Sequence, residues 1–343
     1  MFCAAGLKVT LAGFARAAPP VTVENVTAHC LGRTHDARLM DRMAAVAKAM
    51  IAARAVMRDA DILVARNLEM LVLAVMAKRG RPIVYECLDI HRTLTGTGRA
   101  ARLVQRVERA LLRRVDLVLT SSPRFVSEHF ARIGRKPTML VENKVLVLDT
   151  ARPQPRAARA PGAPWTIGWF GMLRCRRSLT LLSAIAAESA GRIEVVIAGR
   201  PSPAEFTDFE AAVAAAPGVR FLGAYTADDL PALYGAVDFA WAIDYFEEGE
   251  NSTWLLPNRL YESSAHGVVP IALAKVETGA WLKRHHAGLV VDDPRTDLPT
   301  RLGTLDEPGY AELRAAVLAI APNDLIADAS DCAALARAIT ALT

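Results

Sequence analysis

TARPQPRAARAPGAPWTIGWFGML, Thr150–Leu173, is the stretch on which the fold turns. Up to Pro164 it holds four prolines, no aromatic residue and no apolar period, which reads as a linker. From Trp165 to Phe170 an apolar strand starts afresh. A chain of 343 residues is long for one core and suits two domains of roughly 150 residues each. The expected organisation is therefore a first domain over 1–150, a linker over 151–164, a second domain over 165–330 and a closing C-terminal helix over 331–343.

Both sides of the linker alternate short apolar runs with amphipathic segments. Upstream, Lys8–Phe14, Ile62–Ala65, Ile83–Tyr85 and Leu117–Thr120 are strand-like, with helical patterns near 38–58, 68–79, 99–114 and 123–133. Downstream, strands are expected at Trp165–Phe170, Ile193–Ala198, Val219–Leu222, Val237–Ile243 and Val269–Leu273. Helices near 178–190, 203–215, 228–235, 257–266 and 277–286 separate or follow them. Such alternation implies βαβ units around parallel sheets. Two doubly wound, Rossmann-like domains of this kind face one another across a cleft at the carboxyl ends of their strands, where ligands bind. Met1–Gly6 reads as the last turn of a helix, so a βα unit upstream of Met1 is expected to be missing.

Composition narrows the class. Hydrophobic residues make up 52% of the chain, which fits a packed globular protein. Five scattered cysteines without a CxxC fit reduced thiols better than a disulfide framework or a zinc site. No run of 18 apolar residues announces a transmembrane helix, and Lys8 interrupts what would be the apolar core of a signal peptide. The net charge of +5 hides an asymmetry: 24 basic against 13 acidic residues up to Thr150, but 14 against 23 from Trp165 onward. The basic half is expected to face phosphate or an anionic surface.

Three downstream stretches carry chemistry. In TIGWFGMLRCRRSLTLL, Thr166–Leu182, the strand ends at Phe170 and Gly171 lets backbone approach a ligand. Arg174, Arg176 and Arg177 lie in the turn before a helix that begins near Ser178. Such a turn suits a diphosphate; equally, it is a βα turn with solvated arginines. Val219–Ile243 supplies mainly scaffold, its functional load confined to the loop DYFEEGENS after Ile243. Carboxylates there bond sugar hydroxyls, or the loop is merely exposed. In NSTWLLPNRLYE, Asn251–Glu262, Pro257 reads as the first helical residue, and Arg259 and Glu262 share one face near a helix N-terminus. Glu250, Asn251 and Ser252 read as sugar-facing polar residues ahead of that helix.

The order of these stretches resembles the donor-binding half of GT-B glycosyltransferases, in particular the family 4 type of bacterial exopolysaccharide synthesis and its succinoglycan-type members. In that family a glutamate followed by a small residue, Gly and Pro bonds the ribose hydroxyls; Glu262, Ala265, Gly267 and Pro270 occupy the pattern. Gly171, Leu173 and Arg177 fall on the family's diphosphate loop. Pro257, Asn258, Arg259, Tyr261 and Glu262 match a Pro-Asn-basic-x-aromatic-Glu variant whose basic residue meets the diphosphate. Two departures stand out: Met172 follows the loop glycine where Arg is common, and Trp254 occupies the position of a second glutamate. Arg174 or Arg259 is expected to replace what Met172 lacks. The resemblance implies transfer of a hexose from a nucleoside-diphosphate sugar, UDP before GDP, to a lipid-linked or polysaccharide acceptor. It also implies retention at the anomeric carbon, no metal and no cofactor, and a place in the cytoplasm at the inner face of the cell membrane. A nucleotide-sugar 2-epimerase and a non-catalytic nucleotide-sugar-binding protein share the architecture and remain open; nucleic acid is not an expected partner.

In the first half YECLDIHR, Tyr85–Arg92, follows a buried strand, and Asp89 and His91 at its end are the candidates for contact with the reacting sugar. The alternative is that Asp89 caps a helix and His91 is solvated. Asn143 is a further cleft candidate. In the helix around 99–114, Arg99, Arg102, Arg106, Arg109 and Arg113 form one stripe, with Leu103, Val107, Ala110 and Leu111 expected on the opposite side. Either Arg102, Arg106, Arg109 and Arg113 contact anionic membrane, or this is a surface helix packed on its sheet. His285 and His286, being adjacent, cannot face one metal from a helix.

Overall fold

The computed structural model describes residues 1–15, 26–33, 39–90, 92–134, 136–148, 153, 154, 159, 160 and 162–343. His91 and half of the expected linker, 151, 152, 155–158 and 161, lie outside them. The chain forms two compact units: Met1–Glu142 with Ala327–Thr343, and Asn143–Ile326. The division therefore falls several residues before the proline-rich stretch. Asn143 is already fastened to the second unit, its side-chain amide donating to the Leu256 carbonyl at 2.9 Å.

In the first unit β3 (Leu63–Arg66), β4 (Ile83–Cys87), β5 (Leu117–Thr120) and β6 (Thr138–Leu140) make a parallel sheet in that order. Helix α1 (Leu39–Val56) precedes β3, α2 (Asn67–Ala77) joins β3 to β4, and α3 (Arg99–Leu112) precedes β5. β1 (Val9–Ala15) does not join this sheet. Among the described residues it pairs only with β2 (Val26–Arg33), in parallel, a strand that periodicity does not announce. The pair has its own small core, in which Leu31 meets Ala49, Met50 and Ala53 of α1 and Leu73 of α2, while Leu11 is half exposed. The segment expected as a helix near 123–133 is helical, with a π-helical turn, Phe125–Phe130, inside it.

In the second unit six parallel strands, β7 (Trp165–Leu173), β8 (Ile193–Pro201), β9 (Val219–Phe221), β10 (Phe239–Trp241), β11 (Val269–Leu273) and β12 (Leu289–Val291), are ordered β9-β8-β7-β10-β11-β12. The connecting helices include α4 (Arg176–Glu188), α5 (Phe209–Ala214), α6 (Leu230–Gly235), α7 (Asn258–Ala265) and α8 (Glu277–Arg284). Trp169, Trp241, Phe239, Tyr261 and Trp281 are buried in one apolar core. The last helix, α9 (Ala329–Thr340), returns to the first unit, where Leu335 and Ile339 pack on Val84, Leu117 and Leu119. Among the described residues no helix is long and apolar enough to cross a membrane.

Candidate active site

β7 and β10 are neighbours, and the strand order reverses between them. At such a switch point the loops leaving the two strands diverge and open a crevice beyond their carboxyl ends. The segments singled out in the sequence leave these two strands.

β7 does not stop at Phe170. It runs to Leu173, paired with β8 as far as Pro201. Gly171 continues the strand at φ 122° beside Gly199 at φ 143°, conformations open to residues without a Cβ. A Cβ on Gly199 would lie 1.8 Å from the Gly171 carbonyl oxygen, whereas one on Gly171 would meet only Nη1 of Arg259, at 4.0 Å. The bare backbone of Gly171 thus faces a guanidinium. Helix α4 then starts at Arg176, two residues earlier than expected, because the Cys175 sulfur accepts from Ser178 N and caps it.

Arg174 precedes that helix, and Arg176 and Arg177 are its first two residues. Only two of the three turn toward the loop after β10. Arg174 donates to Asp244 at 3.4 Å and lies over the Phe246 ring at 4.5 Å. Arg177 pairs with Glu248 and lies over Tyr245 at 4.1 Å. Arg176 points elsewhere, over Phe206 at 5.3 Å. The acidic loop is therefore the electrostatic partner of the arginine turn. That pairing was visible in principle, since opposite charges follow two strands that the topology makes adjacent. Ser252 donates to the Glu247 carbonyl at 2.9 Å, and both Asn251 and Ser252 are buried within the loop; Glu250 is half-buried.

The chain enters α7 through Leu255 and Leu256, whose carbonyls accept from Thr278 Oγ1 at 3.2 Å and Asn143 Nδ2 at 2.9 Å. Pro257 is the cap, with extended φ −75° and ψ 152°, and the helix proper begins at the exposed Asn258. Proline's missing N–H costs nothing there, and its ring disfavours α conformation for the residue before it. Gly267 ends the helix at φ 66°, and Val268 N bonds back to Ser263 O at 2.9 Å, a left-handed stop.

On this short helix Arg259 and Glu262 stand one turn apart. Arg259 Nη2 reaches the Ile243 carbonyl at 3.5 Å, but its Nε is buried and finds no acceptor among the described residues. A buried donor without an acceptor costs about 1–3 kcal/mol, and more when charged. Glu262 accepts from the Tyr234 hydroxyl at 2.9 Å. Burial pushes its carboxyl above the ordinary range, against the lowering effects of Tyr234 and Arg259. Tyr234 is fully buried, packed edge-on against Phe170 at 5.2 Å and stacked on His266 at 5.1 Å. His266 Nδ1 lies 2.8 Å from the Glu262 carbonyl; only an N–H can donate there, so the proton sits on Nδ1. Burial lowers the His266 pKa, keeping the ring neutral. Tyr225 is pushed up to about 12 by burial, with Glu262 adding and Arg259 opposing. Val219–Ile243 is thus more than scaffold: Tyr225 and Tyr234 flank the site, and their type and position gave only a weak signal, tyrosines in a segment otherwise explained by core packing.

Asp89 is exposed after β4, and the Cys87 thiol donates to its carbonyl at 3.6 Å. Among the described residues no group of three His, Cys, Asp or Glu side chains could hold a metal ion.

The succinoglycan biosynthesis protein ExoL of Rhizobium meliloti (strain 1021) is 43% identical over 99% of this chain and 88% of its own length. The chain belongs to the ExoL family of GT-B glycosyltransferases. No protein-family model matches the chain. Among solved structures, sucrose-phosphate synthase from Thermosynechococcus elongatus superposes with a TM-score of 0.71 at 16% identity, covering 99% of this chain and 91% of its own. Anabaena HepE in complex with UDP-glucose gives 0.65 at 16% identity, covering 92% and 86%. At such identities the likeness is one of fold: two Rossmann-like domains of GT-B type.

Proposed function

We propose that this family member transfers a hexose from a UDP-sugar to a lipid-linked or polysaccharide acceptor in exopolysaccharide synthesis, with retention at the anomeric carbon and without a metal, at the cytoplasmic face of the membrane. The observation that carries the reading is the pair on α7: a buried Arg259 Nε lacking an acceptor beside the bare backbone of Gly171, one turn before a carboxylate held by Tyr234. Glu262 accepts from the two ribose hydroxyls with the oxygen lone pairs Tyr234 leaves free. Arg259 and the N–H groups opening α7 meet the diphosphate, and Gly171 allows its close approach. Arg174 and Arg177 join them by exchanging Asp244 and Glu248 for phosphate oxygens. As the glycosidic bond breaks, negative charge grows on the departing diphosphate, and fixed guanidiniums stabilise it as a divalent cation would. Glu250, Asn251, Ser252 and Asn258 would bind the sugar, and Asp89 and His91 would be the residues that serve the reacting sugar. UDP is favoured over GDP because the same fold is known in complex with UDP and UDP-glucose in Anabaena HepE.

Calorimetry with UDP and GDP, followed by turnover of UDP-sugars with and without a lipid-linked saccharide, tests this. UDP should bind more tightly than GDP, and hexose should leave the donor in step with acceptor addition. Rapid 2-epimerisation of donor alone would replace the reading with an epimerase, and binding without any turnover would leave a carrier.

A further inference from the structure

Helix α3 presents an unusual surface. At 100° per residue, Arg99, Arg102, Arg106, Arg109 and Arg113 fall within an arc of about 80°, and all are exposed. The apolar residues do not lie opposite them. Leu103, Val107 and Ala110 occupy the adjoining arc and are exposed too, Leu103 at 61% and Val107 at 39%; of the four, only Leu111 turns partly inward. What lies underneath fixes the helix about its axis. Glu108 and Leu112 are buried; Glu108 meets His129 at 3.0 Å, and Gln105 donates to the carbonyls of Leu94 and Gly96, both at 2.9 Å. Glu108 is also the only acid of the helix. Among the described residues no carboxylate pairs with any of the five arginines.

The face is therefore half cationic and half apolar, and held in that orientation from below. A nucleic acid would use the arginines and leave Leu103 and Val107 in water. A lipid surface uses both, cations among the headgroups and short apolar side chains at the acyl boundary. We propose that α3 is a membrane-docking helix that lays this face on an anionic bilayer. The proposal does not rest on the donor reading, and vesicles free of any saccharide acceptor test it.

The experiment is co-sedimentation of the full chain with vesicles of phosphatidylcholine alone or mixed with phosphatidylglycerol, at low and high salt, with circular dichroism confirming the fold of each variant. The protein should sediment with mixed vesicles and be released by salt. Arg102→Gln with Arg106→Gln should weaken partitioning roughly thirty-fold, about five-fold for each arginine. Leu103→Ser with Val107→Ser should weaken it roughly ten-fold at either salt concentration, since apolar insertion is not screened. Equal binding to both vesicle types, or unchanged sedimentation of the arginine variant, overturns the proposal. So does an arginine effect with no leucine–valine effect and equal binding to RNA, which would make the stripe a general polyanion patch.

Discussion

Two carboxylates, one in each unit, the first fully buried and the second half-buried, separate structure from function. Glu108 on α3 is fully inaccessible, and both its oxygens meet His129 Nε2, at 3.0 and 3.1 Å. Nearby, burial drives Tyr85 and Cys87 far above their ordinary values, keeping both neutral, and the Glu108 carboxylate adds to the effect. Glu262 on α7 also sits against a buried tyrosine, but takes one bond from it and stands beside a cation whose Nε has no acceptor. The first cluster answers its own hydrogen-bonding demand. The second leaves demand of both signs open, at a switch point in the sheet, as a ligand site must.

The comparison breaks most visibly at Glu108. Glu108→Ala leaves His129 buried without its partner and should cost about 3–5 kcal/mol by denaturant unfolding. Glu108→Leu with His129→Phe, which removes both polar groups, should recover most of it. If the single variant costs less than about 1 kcal/mol, the pair is no structural anchor.

At Arg259 the signs should part. Arg259→Met keeps the buried stem but removes the unsatisfied donor, so thermal stability should hold or rise, as is common where a site stores cost for function. UDP affinity should fall by about 2–3 kcal/mol, the worth of charged hydrogen bonds to phosphate. A parallel loss of stability and affinity in calorimetry and melting would instead make Arg259 a packing residue. Glu262→Ala should weaken UDP by about 1–3 kcal/mol, and Tyr234→Phe, which only frees the carboxylate from its holder, by about 1 kcal/mol.

How much of this could be read beforehand depends on where each feature draws its signal. β5 and β11 lie where their apolar runs predict, and α7 is bracketed by Pro257 and Gly267, which act locally. Glu262 was findable because a motif and a helix face agreed on it. β2 was not, because VTAHCLGR, Val26–Arg33, has neither a buried apolar run nor clean alternation and is held by pairing with β1. Extension of β7 past Gly171 was hidden for a similar reason: it depends on Gly199, a residue 28 positions on, being unable to tolerate a Cβ. Tyr234 was missed because its ring earns its place in the core, and only the three-dimensional contact reveals what the hydroxyl does.

The smallest effect is the sharpest test of the environment of Glu262. Burial raises its carboxyl above the ordinary value of 4.5, so the folded state holds the proton more tightly than the unfolded chain. Stability from this group is then full below 4.5 and declines as pH rises through the raised value. Glu262→Gln keeps the bond from Tyr234 and cannot ionise, so it lacks that decline. The buried His266 shifts the other way, and its stability is lost as pH falls, but both proteins carry it and it cancels in their difference. Melting temperatures of the two should therefore converge near pH 4 and separate as pH rises, with the glutamine variant the more stable at neutral pH and the weaker for UDP. A constant offset across the range would mean that Glu262 is not desolvated, and that its side chain stands in water like any helix-surface glutamate.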